Sequence, residues 1–307
     1  MKFQVNRLAY GLGAEVLGID LTQHVSDLEI EQIRQIWLEH LVLVFPNQKI
    51  SIEQHIAFSR RFGNLEVHPE KHYRHPVYPE IFEVTNRMVD GKKSLTGEVG
   101  LKWHSDGAFT LKPPTGSLLY CVALPSVGGD TWFSNMYKAY DDLSDTMKRL
   151  IEPLRVVNDL ATYTAVKQLT EHLQDNPAVI QPMVRTHSET KRKALYLNES
   201  VTRQIDGMTQ AESDGLLQYL FKHSVRHNFT FRHRWKKHDI VMWDNRCAMH
   251  LAAGDYDKNE IRHNKRCSYK RDTRGPKRDK PQNNTTNTFK HINRGRKRHP
   301  VINSHRS

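Results

Sequence analysis

The sequence predicts a mainly β protein with flanking helices, an α+β fold whose sheets pack on each other as a jelly roll. Many short apolar runs are separated by turn-forming residues, which is typical of strands joined by tight connections. From Phe229 to Trp235, aromatic and imidazole side chains alternate with Thr and Arg, the period of a half-buried strand. Capping boxes precede apolar residues at helical spacing and predict the helices. Because sheets with apolar faces must cover one another, we expect a jelly roll.

The predicted elements follow in order along the chain. In the first third we predict two edge strands with a turn (Phe3–Leu21), a helix capped by Ser26-Asp27-Leu28-Glu29 and running to about Glu39, a fully buried strand (Leu41–Phe45), and a helix opened by Ser51-Ile52-Glu53-Gln54 and ending at Gly63. Next we predict a loop near the site (His68–Tyr78), a strand (Ile81–Thr85), a flexible lid (Arg87–Lys102), a strand carrying His104 and Asp106, and strands at Gly116–Ala123 and Thr131–Phe133. Last come helices at Asn135–Leu143 and Ser144–Ile151, a polar insert to about Asn176 without assigned structure, and strands at Phe229–Trp235 and Ile240–Trp243.

Composition bounds the class of protein. A chain of 307 residues can bury a substantial core, and it has no apolar run long enough to cross a membrane. The three cysteines, Cys121, Cys247 and Cys267, leave one unpaired in any disulfide scheme and lack Cys-x-x-Cys spacing. This usage suits a reducing compartment and argues against structural zinc, so we expect a cytoplasmic protein.

The net charge of +12 is concentrated at the C-terminus. Residues 271–307 hold 11 Lys/Arg against two Asp, a net charge of +9, which leaves +3 for residues 1–270. This tail has few large apolar residues and cannot bury enough surface to offset its ordering entropy, so we predict disorder. We therefore predict one domain over 1–270, followed by a basic tail over 271–307.

The segment Trp103-His104-Ser105-Asp106-Gly107 carries the main candidate for a metal site. In an extended segment, side chains two apart share a face, so His104 and Asp106 can offer an imidazole and a carboxylate to one ion. His250, far along the chain, is the candidate third ligand. Two His and one carboxylate on one face of an ion, with the opposite face open, are used by non-haem Fe(II) oxygenases. The alternative for His250 is a buried neutral imidazole bonded to backbone.

At these residues the sequence resembles the TauD/TfdA family of Fe(II)/2-oxoglutarate-dependent dioxygenases. Four separated motifs occur in the family's order: Trp103-His104-Ser105-Asp106, Gly128-Gly129-Asp130-Thr131, Trp243-Asp244-Asn245-Arg246 leading to His250, and the pair Arg262 and Arg266. The resemblance runs from about Phe3 to about Asp272. It implies a double-stranded β-helix with flanking helices, and an enzyme that hydroxylates an unactivated C–H bond while O2 and 2-oxoglutarate yield succinate and CO2.

The resemblance also implies roles for individual residues. His104, Asp106 and His250 would bind Fe(II), and the Asp106 carboxylate favours hydroxylation because halogenating relatives lack it. Arg262 would take the distal carboxylate of 2-oxoglutarate with help from the Thr131 hydroxyl, a task that suits a planar, permanently charged guanidinium.

Arg266 would lie closer to the iron and meet the substrate or the other end of the co-substrate. One extra residue between His250 and Arg262, relative to the family's spacing, leaves the division of roles between the two arginines open. Their alternative is to be solvated charges. Two further sets of residues are predicted to have structural roles. The turn Asp244-Asn245-Arg246 is expected to orient His250. Core packing is expected for the aromatic residues Phe229, Phe231, Trp235 and Trp243.

The substrate is predicted to be a small organic anion, namely a sulfonate, a sulfate ester, or an aryloxy or carboxylic acid. His68 stands where taurine-cleaving relatives contact the sulfonate, and Lys71 and Arg266 would add positive charge. Lys71 and Gly100 depart from the taurine-cleaving pattern, which argues against taurine itself.

A competing interpretation is a non-catalytic β-barrel binding protein whose basic tail contacts nucleic acid or an anionic membrane. The tail has almost no aromatic residues among its charges, which weakens the nucleic-acid interpretation. The sequence leaves open whether the chain forms a homo-oligomer.

Overall fold

The computed structural model describes residues 3–68, 73–89, 92–94, 100–160 and 177–271. Five α-helices lie in this part of the chain: α1 (Asp27–His40), α2 (Ile52–Arg60), α3 (Met136–Asp141), α4 (Asp145–Ile151) and α5 (Gln210–Ser224). The strands of the first half are β1 (Gln4–Arg7), β2 (Ala14–Leu17), β3 (Val42–Phe45), β4 (Asn64–Leu65), β5 (Phe82–Thr85), β6 (Met88–Val89), β7 (Lys92–Lys93), β8 (Gly116–Ala123) and β9 (Thr131–Asn135). Those of the second half are β10 (Arg155–Asn158), β11 (Val179–Pro182), β12 (Val184–Thr186), β13 (Lys193–Leu195), β14 (Thr202–Ile205), β15 (Thr230–His233), β16 (Ile240–Asp244), β17 (Ala248–Ala252) and β18 (His263–Lys270).

The largest sheet in the described part of the chain has the order β1-β2-β3-β16-β8-β18-β4, with β5 also paired to β18. Apart from the parallel pair β2 and β3, its neighbours are antiparallel. Helix α1 covers one face, where Ile33 and Trp37 join Leu43 and Phe45 in one apolar cluster. Burial of this apolar stripe anchors the helix, and a capping box at Ser26 satisfies its first amides.

A second sheet has the order β15-β9-β17 and packs against the first through a shared core. Phe133 and Met249 from this sheet lie in the same buried cluster as Leu119, Val241 and Trp243 from the large sheet. The chain is thus a mixed α+β fold, mostly sheet with few helices. His250 lies on β17, and its backbone forms an isolated β-bridge with His104.

Many predicted elements are confirmed. The capping boxes at Ser26 and Ser51 are both formed, and Asn135 and Ser144 cap α3 and α4. The predicted strand Gly116–Ala123 matches β8 at both ends. Phe229, Trp235 and Trp243 are buried, and Phe231 packs against the same core.

Some details were wrong. His104 and Asp106 do not share a strand, because His104 makes only the bridge to His250 and Asp106 begins a turn. Within the segment Phe3–Leu21 only β1 is an edge strand, since β2 pairs on both sides. Leu41 lies outside β3 as the C-cap of α1, with φ 65°, and α2 ends at Arg60 rather than Gly63.

Several predictions fall wholly or partly outside the described residues. Within the predicted lid, β6 and β7 form a short antiparallel pair, while residues 90–91 and 95–99 are not described. The polar insert begins with β10, and its residues 161–176 are not described. Apart from Arg271, the predicted tail also lies outside, so its disorder and the domain division stay predictions.

Candidate active site

Two neighbouring side chains, those of His104 and Asp106, meet the distant His250 side chain beside β17. Nε2 of His104 and Nε2 of His250 lie 4.0 and 3.9 Å from the same oxygen, Oδ1 of Asp106. Their donor atoms all lie within 4.8 Å of one another. Backbone hydrogen bonds of 2.9 and 2.8 Å join His104 and His250 in both directions, which sets the two imidazoles side by side with centroids 4.0 Å apart. The expected convergence of the three residues is therefore present.

Asp106 reaches the imidazoles from a turn whose shape requires glycine. Gly107 has φ +62°, and a Cβ atom there would lie 2.5 Å from Cδ of Pro114. An L side chain would thus meet both backbone strain and a clash. The Trp-His-Ser-Asp-Gly segment ends in glycine because the carboxylate is presented from this turn.

Burial and neighbouring charges set the ionisation of the three groups. Burial lowers the pKa of both imidazoles, that of His250 well below its ordinary value. Burial alone would raise the pKa of Asp106, but the Arg266 guanidinium and the hydrogen bond from Ser117 hold it below its usual range. Because Nδ1 of His104 lies 2.8 Å from the Lys102 carbonyl, which can only accept, the ring's Nε2 lone pair faces the centre. Neutral imidazoles and an ionised carboxylate are the forms that ligate metals.

This donor set fits Fe(II). Two imidazole nitrogens and one carboxylate oxygen match the facial triad of non-haem iron enzymes. The alternative for His250 required a hydrogen bond from its ring to the backbone, yet its buried Nδ1 has no hydrogen-bond partner in the described part of the chain. Its Nε2 faces Oδ1 of Asp106 at 3.9 Å, so the ring is turned toward the other two donor groups, as a ligand would be.

A hydrogen-bond network that sequence reasoning missed holds Asp106 in place. Ser117 donates to Asp106 Oδ2 at 2.7 Å, and Asn245 Nδ2 donates to Ser117 at 3.0 Å. Asn245 Oδ1 accepts from the Asp106 backbone at 3.3 Å and from the Trp243 indole at 2.9 Å. Asn245 therefore orients Asp106 directly, besides belonging to the turn expected to aim His250.

Arg262 is a buried cation without an acidic partner in the described part of the chain. Its side chain is 5% exposed, and Nε donates to the Gly129 carbonyl at 3.0 Å. Burial lowers its pKa, although a guanidinium still stays charged at neutral pH. Two residues after Gly129, Thr131 is also buried. A buried positive charge of this kind is a suitable partner for an anion.

Arg266 has different surroundings. Its Nη1 donates to Asp106 Oδ1 at 2.6 Å, and its guanidinium lies 4.6 Å from the centroid of the Phe82 ring. His68 packs on the same ring at 4.8 Å between centroids. The structure therefore places Arg266 against Asp106, and it places both Arg266 and His68 against the ring of Phe82. Lys71 lies outside the described residues.

A second group of possible metal ligands, His187, Asp244 and Cys247, is part of a charge network instead. Both oxygens of Asp244 accept from Arg246, at 2.8 and 2.6 Å, and one also lies 3.1 Å from His187 Nε2. Burial raises the pKa of the Cys247 thiol well above its ordinary value, which disfavours the thiolate that binds metals. This cluster stabilises the turn between β16 and β17.

Comparison with known proteins assigns this arrangement to a class. The family described as "Taurine catabolism dioxygenase TauD, TfdA family" matches residues 4–268. The α-ketoglutarate-dependent 2,4-dichlorophenoxyacetate dioxygenase of Cupriavidus pinatubonensis is 34% identical over 264 residues, covering 81% of this chain and 92% of that protein. An α-ketoglutarate-dependent sulfonate dioxygenase of Saccharomyces cerevisiae is 30% identical over 279 residues, covering 85% of this chain and 65% of that protein.

Solved structures agree. AAD-2 in complex with Mn(II) and N-oxalylglycine superposes with a TM-score of 0.78 at 32% identity, covering 88% of this chain and 97% of that chain. A taurine dioxygenase from Burkholderia xenovorans gives 0.76 at 32% identity, with coverages of 89% and 90%.

The fold and the site therefore define a 2-oxoglutarate-dependent dioxygenase that uses Fe(II) and O2. The chain belongs to the TauD/TfdA family. The predicted enzyme class, cofactor and co-substrates are confirmed, and the binding-protein alternative is not favoured. Among the described helices, none combines the length and the apolar composition needed to cross a bilayer.

Proposed function

We propose that this enzyme hydroxylates a small organic anion, with His104, Asp106 and His250 as its iron ligands. The convergence of these three side chains through the bridge between His104 and His250 is the observation that carries the proposal. When bound, Fe(II) supplies the redox chemistry that couples oxidation of 2-oxoglutarate by O2, to succinate and CO2, to hydroxylation of a C–H bond. Three protein ligands leave the opposite face of the ion for co-substrate and oxidant.

Arg262 and Thr131 are proposed to hold the distal carboxylate of 2-oxoglutarate. The support is a deeply buried guanidinium that has no acidic partner in the described part of the chain, and a buried hydroxyl two residues after the carbonyl to which it donates. A carboxylate would neutralise the cation and accept from both groups. Arg266 already pairs with Asp106, so it is better placed to orient that ligand and to face the substrate. This assigns the two arginines different tasks.

The anionic end of the substrate is proposed to meet Arg266, His68 and Lys71. The ring of Phe82 contacts both Arg266 and His68, and its face is also suited to pack against an aryl group of the substrate. Relatives are named for 2,4-dichlorophenoxyacetate, for (S)-phenoxypropionate and for sulfonates, all of which are organic anions. Hydroxylation at a carbon bearing sulfonate, sulfate or aryloxy would give a product that falls apart.

Three further proposals concern the architecture, the cellular setting and the domain division of this protein. The two packed sheets support a double-stranded β-helix, or jelly roll, as the architecture. Three unpaired, buried cysteines support a cytoplasmic setting. The extent of the family match, residues 4–268, supports a catalytic domain over 1–270 followed by a separate basic tail.

The test measures succinate release across a panel of sulfonates, sulfate esters and aryloxy acids, together with the visible band that forms when Fe(II) and 2-oxoglutarate are added without O2. We expect wild type to give the band, and His250→Ala to lose both the band and succinate release. His223→Ala is the matched control, because Nε2 of this buried histidine donates to a backbone carbonyl, that of Ala139, at 2.7 Å. Succinate release that persists in His250→Ala would contradict the proposal. So would succinate release that is fastest with neutral or cationic compounds.

A further inference from the structure

Thr131 is held by a residue that the sequence assigned only to the core. The indole Nε1 of Trp235 donates to Thr131 Oγ1 at 3.0 Å, and both side chains are buried. Because an indole nitrogen can only donate, the direction of this hydrogen bond is fixed. Trp235 lies two residues beyond His233, which is the register partner of Thr131 between β15 and β9.

The hydrogen bond determines what the Thr131 hydroxyl can offer. A hydroxyl has one hydrogen to donate and two lone pairs, and one lone pair is used by Trp235. No other hydrogen bond to Thr131 Oγ1 exists in the described part of the chain. Its hydrogen is therefore left for an acceptor beyond the indole. The proposed acceptor is the carboxylate that Arg262 would bind, since Arg262 donates to the Gly129 carbonyl two residues before Thr131.

Trp235 itself is well fixed. Its rings meet the His233 ring edge-on, with centroids 4.6 Å apart. Nε2 of His233 lies 3.3 Å from Oδ2 of Asp239, and the same oxygen accepts the backbone N–H of Lys236 at 2.9 Å. These contacts brace the segment that follows β15 and keep the indole N–H directed at Thr131.

We infer that Trp235 is a positioning residue for the co-substrate, which makes the Thr131 hydroxyl an obligatory donor to the distal carboxylate of 2-oxoglutarate. The inference rests on the proposed function, because it requires 2-oxoglutarate to bind at Arg262 and Thr131. Without the indole N–H, the hydroxyl can rotate and donate elsewhere, so part of its contribution to carboxylate binding is lost. A 2-oxo acid without a distal carboxylate gains nothing from this arrangement.

The test compares 2-oxoglutarate with 2-oxovalerate, which carries a methyl group in place of the distal carboxylate, by calorimetric titration of the Mn(II)-loaded protein. Mn(II) keeps O2 chemistry out of the measurement. In Trp235→Phe we expect the Kd for 2-oxoglutarate to rise about tenfold, the size of one charge-assisted hydrogen bond. The Kd for 2-oxovalerate should stay unchanged, so the variant loses discrimination between the two acids.

Trp37→Phe is the matched control. Trp37 is at least as buried as Trp235, but its Nε1 has no hydrogen-bond partner in the described residues. The control should keep wild-type Kd values for both acids. If Trp235→Phe does not fold, the sulfur analogue of tryptophan, 3-benzothienylalanine, is placed at position 235, which removes the N–H and keeps both rings.

The outcomes separate the inference from the function on which it rests. Unchanged affinity for 2-oxoglutarate in the 235 variants would overturn the inference, as would an equal loss for both acids, which indicates a merely structural role. In either case wild type still binds 2-oxoglutarate, and the proposed function stands. Failure of Mn(II)-loaded wild type to bind 2-oxoglutarate would instead overturn the proposed function.

Discussion

Replacing Ser117 with alanine should weaken metal binding although this side chain is not itself a candidate ligand. Its hydroxyl is fully buried and donates to Oδ2 of Asp106 at 2.7 Å. It also accepts from Asn245 Nδ2 at 3.0 Å and lies 3.1 Å from the Ser268 hydroxyl. Ser117→Ala therefore removes the anchor of one carboxylate oxygen and leaves a buried amide donor without its partner.

The expected magnitude follows from these contacts. A hydrogen bond to a charged group contributes about 1.5–3 kcal/mol, and an unsatisfied buried donor costs about 1–3 kcal/mol. Because the two losses are coupled through one hydroxyl, we expect a decrease of about 2–4 kcal/mol in the free energy of unfolding. Loss of the hydroxyl that holds the Asp106 carboxylate should lower metal affinity by about 10- to 100-fold. The carboxylate stays ionised, since Arg266 still contacts its other oxygen.

The assay measures Mn(II) affinity by titration and the free energy of unfolding in urea, for wild type and two variants. Ser59→Ala is the control, because Ser59 is equally buried and donates at 2.8 Å to His55 within its own helix. This control should lose some stability and keep wild-type Mn(II) affinity. Wild-type affinity in Ser117→Ala, or an equal loss of affinity in both variants, would refute the reasoning.

Three further predictions concern Arg262, His55 and Gly107. Arg262→Gln should raise the Kd for 2-oxoglutarate by about 10²-fold while Mn(II) affinity is kept, as measured by calorimetry. Burial lowers the pKa of His55 from 6.5 to about 4, so the unfolded state binds the extra proton between these values. The free energy of unfolding should therefore fall by up to about 3 kcal/mol as the pH drops through this window, and His55→Gln should flatten that dependence in urea titrations. Gly107→Ala should lower Tm more than Gly207→Ala, since both have positive φ but a Cβ atom meets nothing within 4 Å at Gly207.

Much of the local structure could be predicted from the sequence because its causes are local. Each capping box lies within four residues, and the bounds of β8 follow from one apolar run. The candidate ligands were also found, since His104 and Asp106 are near neighbours and the motif ending at His250 has a characteristic order. What failed was the strand geometry assumed for His104 and Asp106, because a single sequence does not show that a turn presents the carboxylate.

Two of the supporting contacts could not be predicted, since each joins residues more than a hundred positions apart. Ser117 meets Asn245, and Trp235 meets Thr131, only once the strands that carry or precede these residues have paired. A buried serine or tryptophan in a strand is ordinarily a core residue, and nothing local marks it as a donor to the site. Such roles become visible when the partner of each buried polar atom is identified.

The charges in the site bear on the choice of substrate. Asp106 is ionised, the two imidazoles are neutral, and Arg262 and Arg266 each carry a positive charge. With Fe(II) bound, these described residues and the ion would together carry three net positive charges, and the two carboxylates of 2-oxoglutarate would leave one. Because uncompensated charge is costly in a buried site, a substrate with one negative charge is the best complement.

This charge balance predicts a preference that can be measured directly. For any accepted carboxylate substrate, we expect the uncharged primary amide of the same skeleton to have a kcat/KM about 10- to 100-fold lower. The reason is that the amide cannot neutralise the remaining positive charge of the site. Arg266→Gln removes one positive charge near Asp106, so it should bring the two kcat/KM values closer together. The ratio is the informative quantity, since any loss of activity common to both substrates cancels. Equal kcat/KM for acid and amide in wild type would show that charge does not select the substrate.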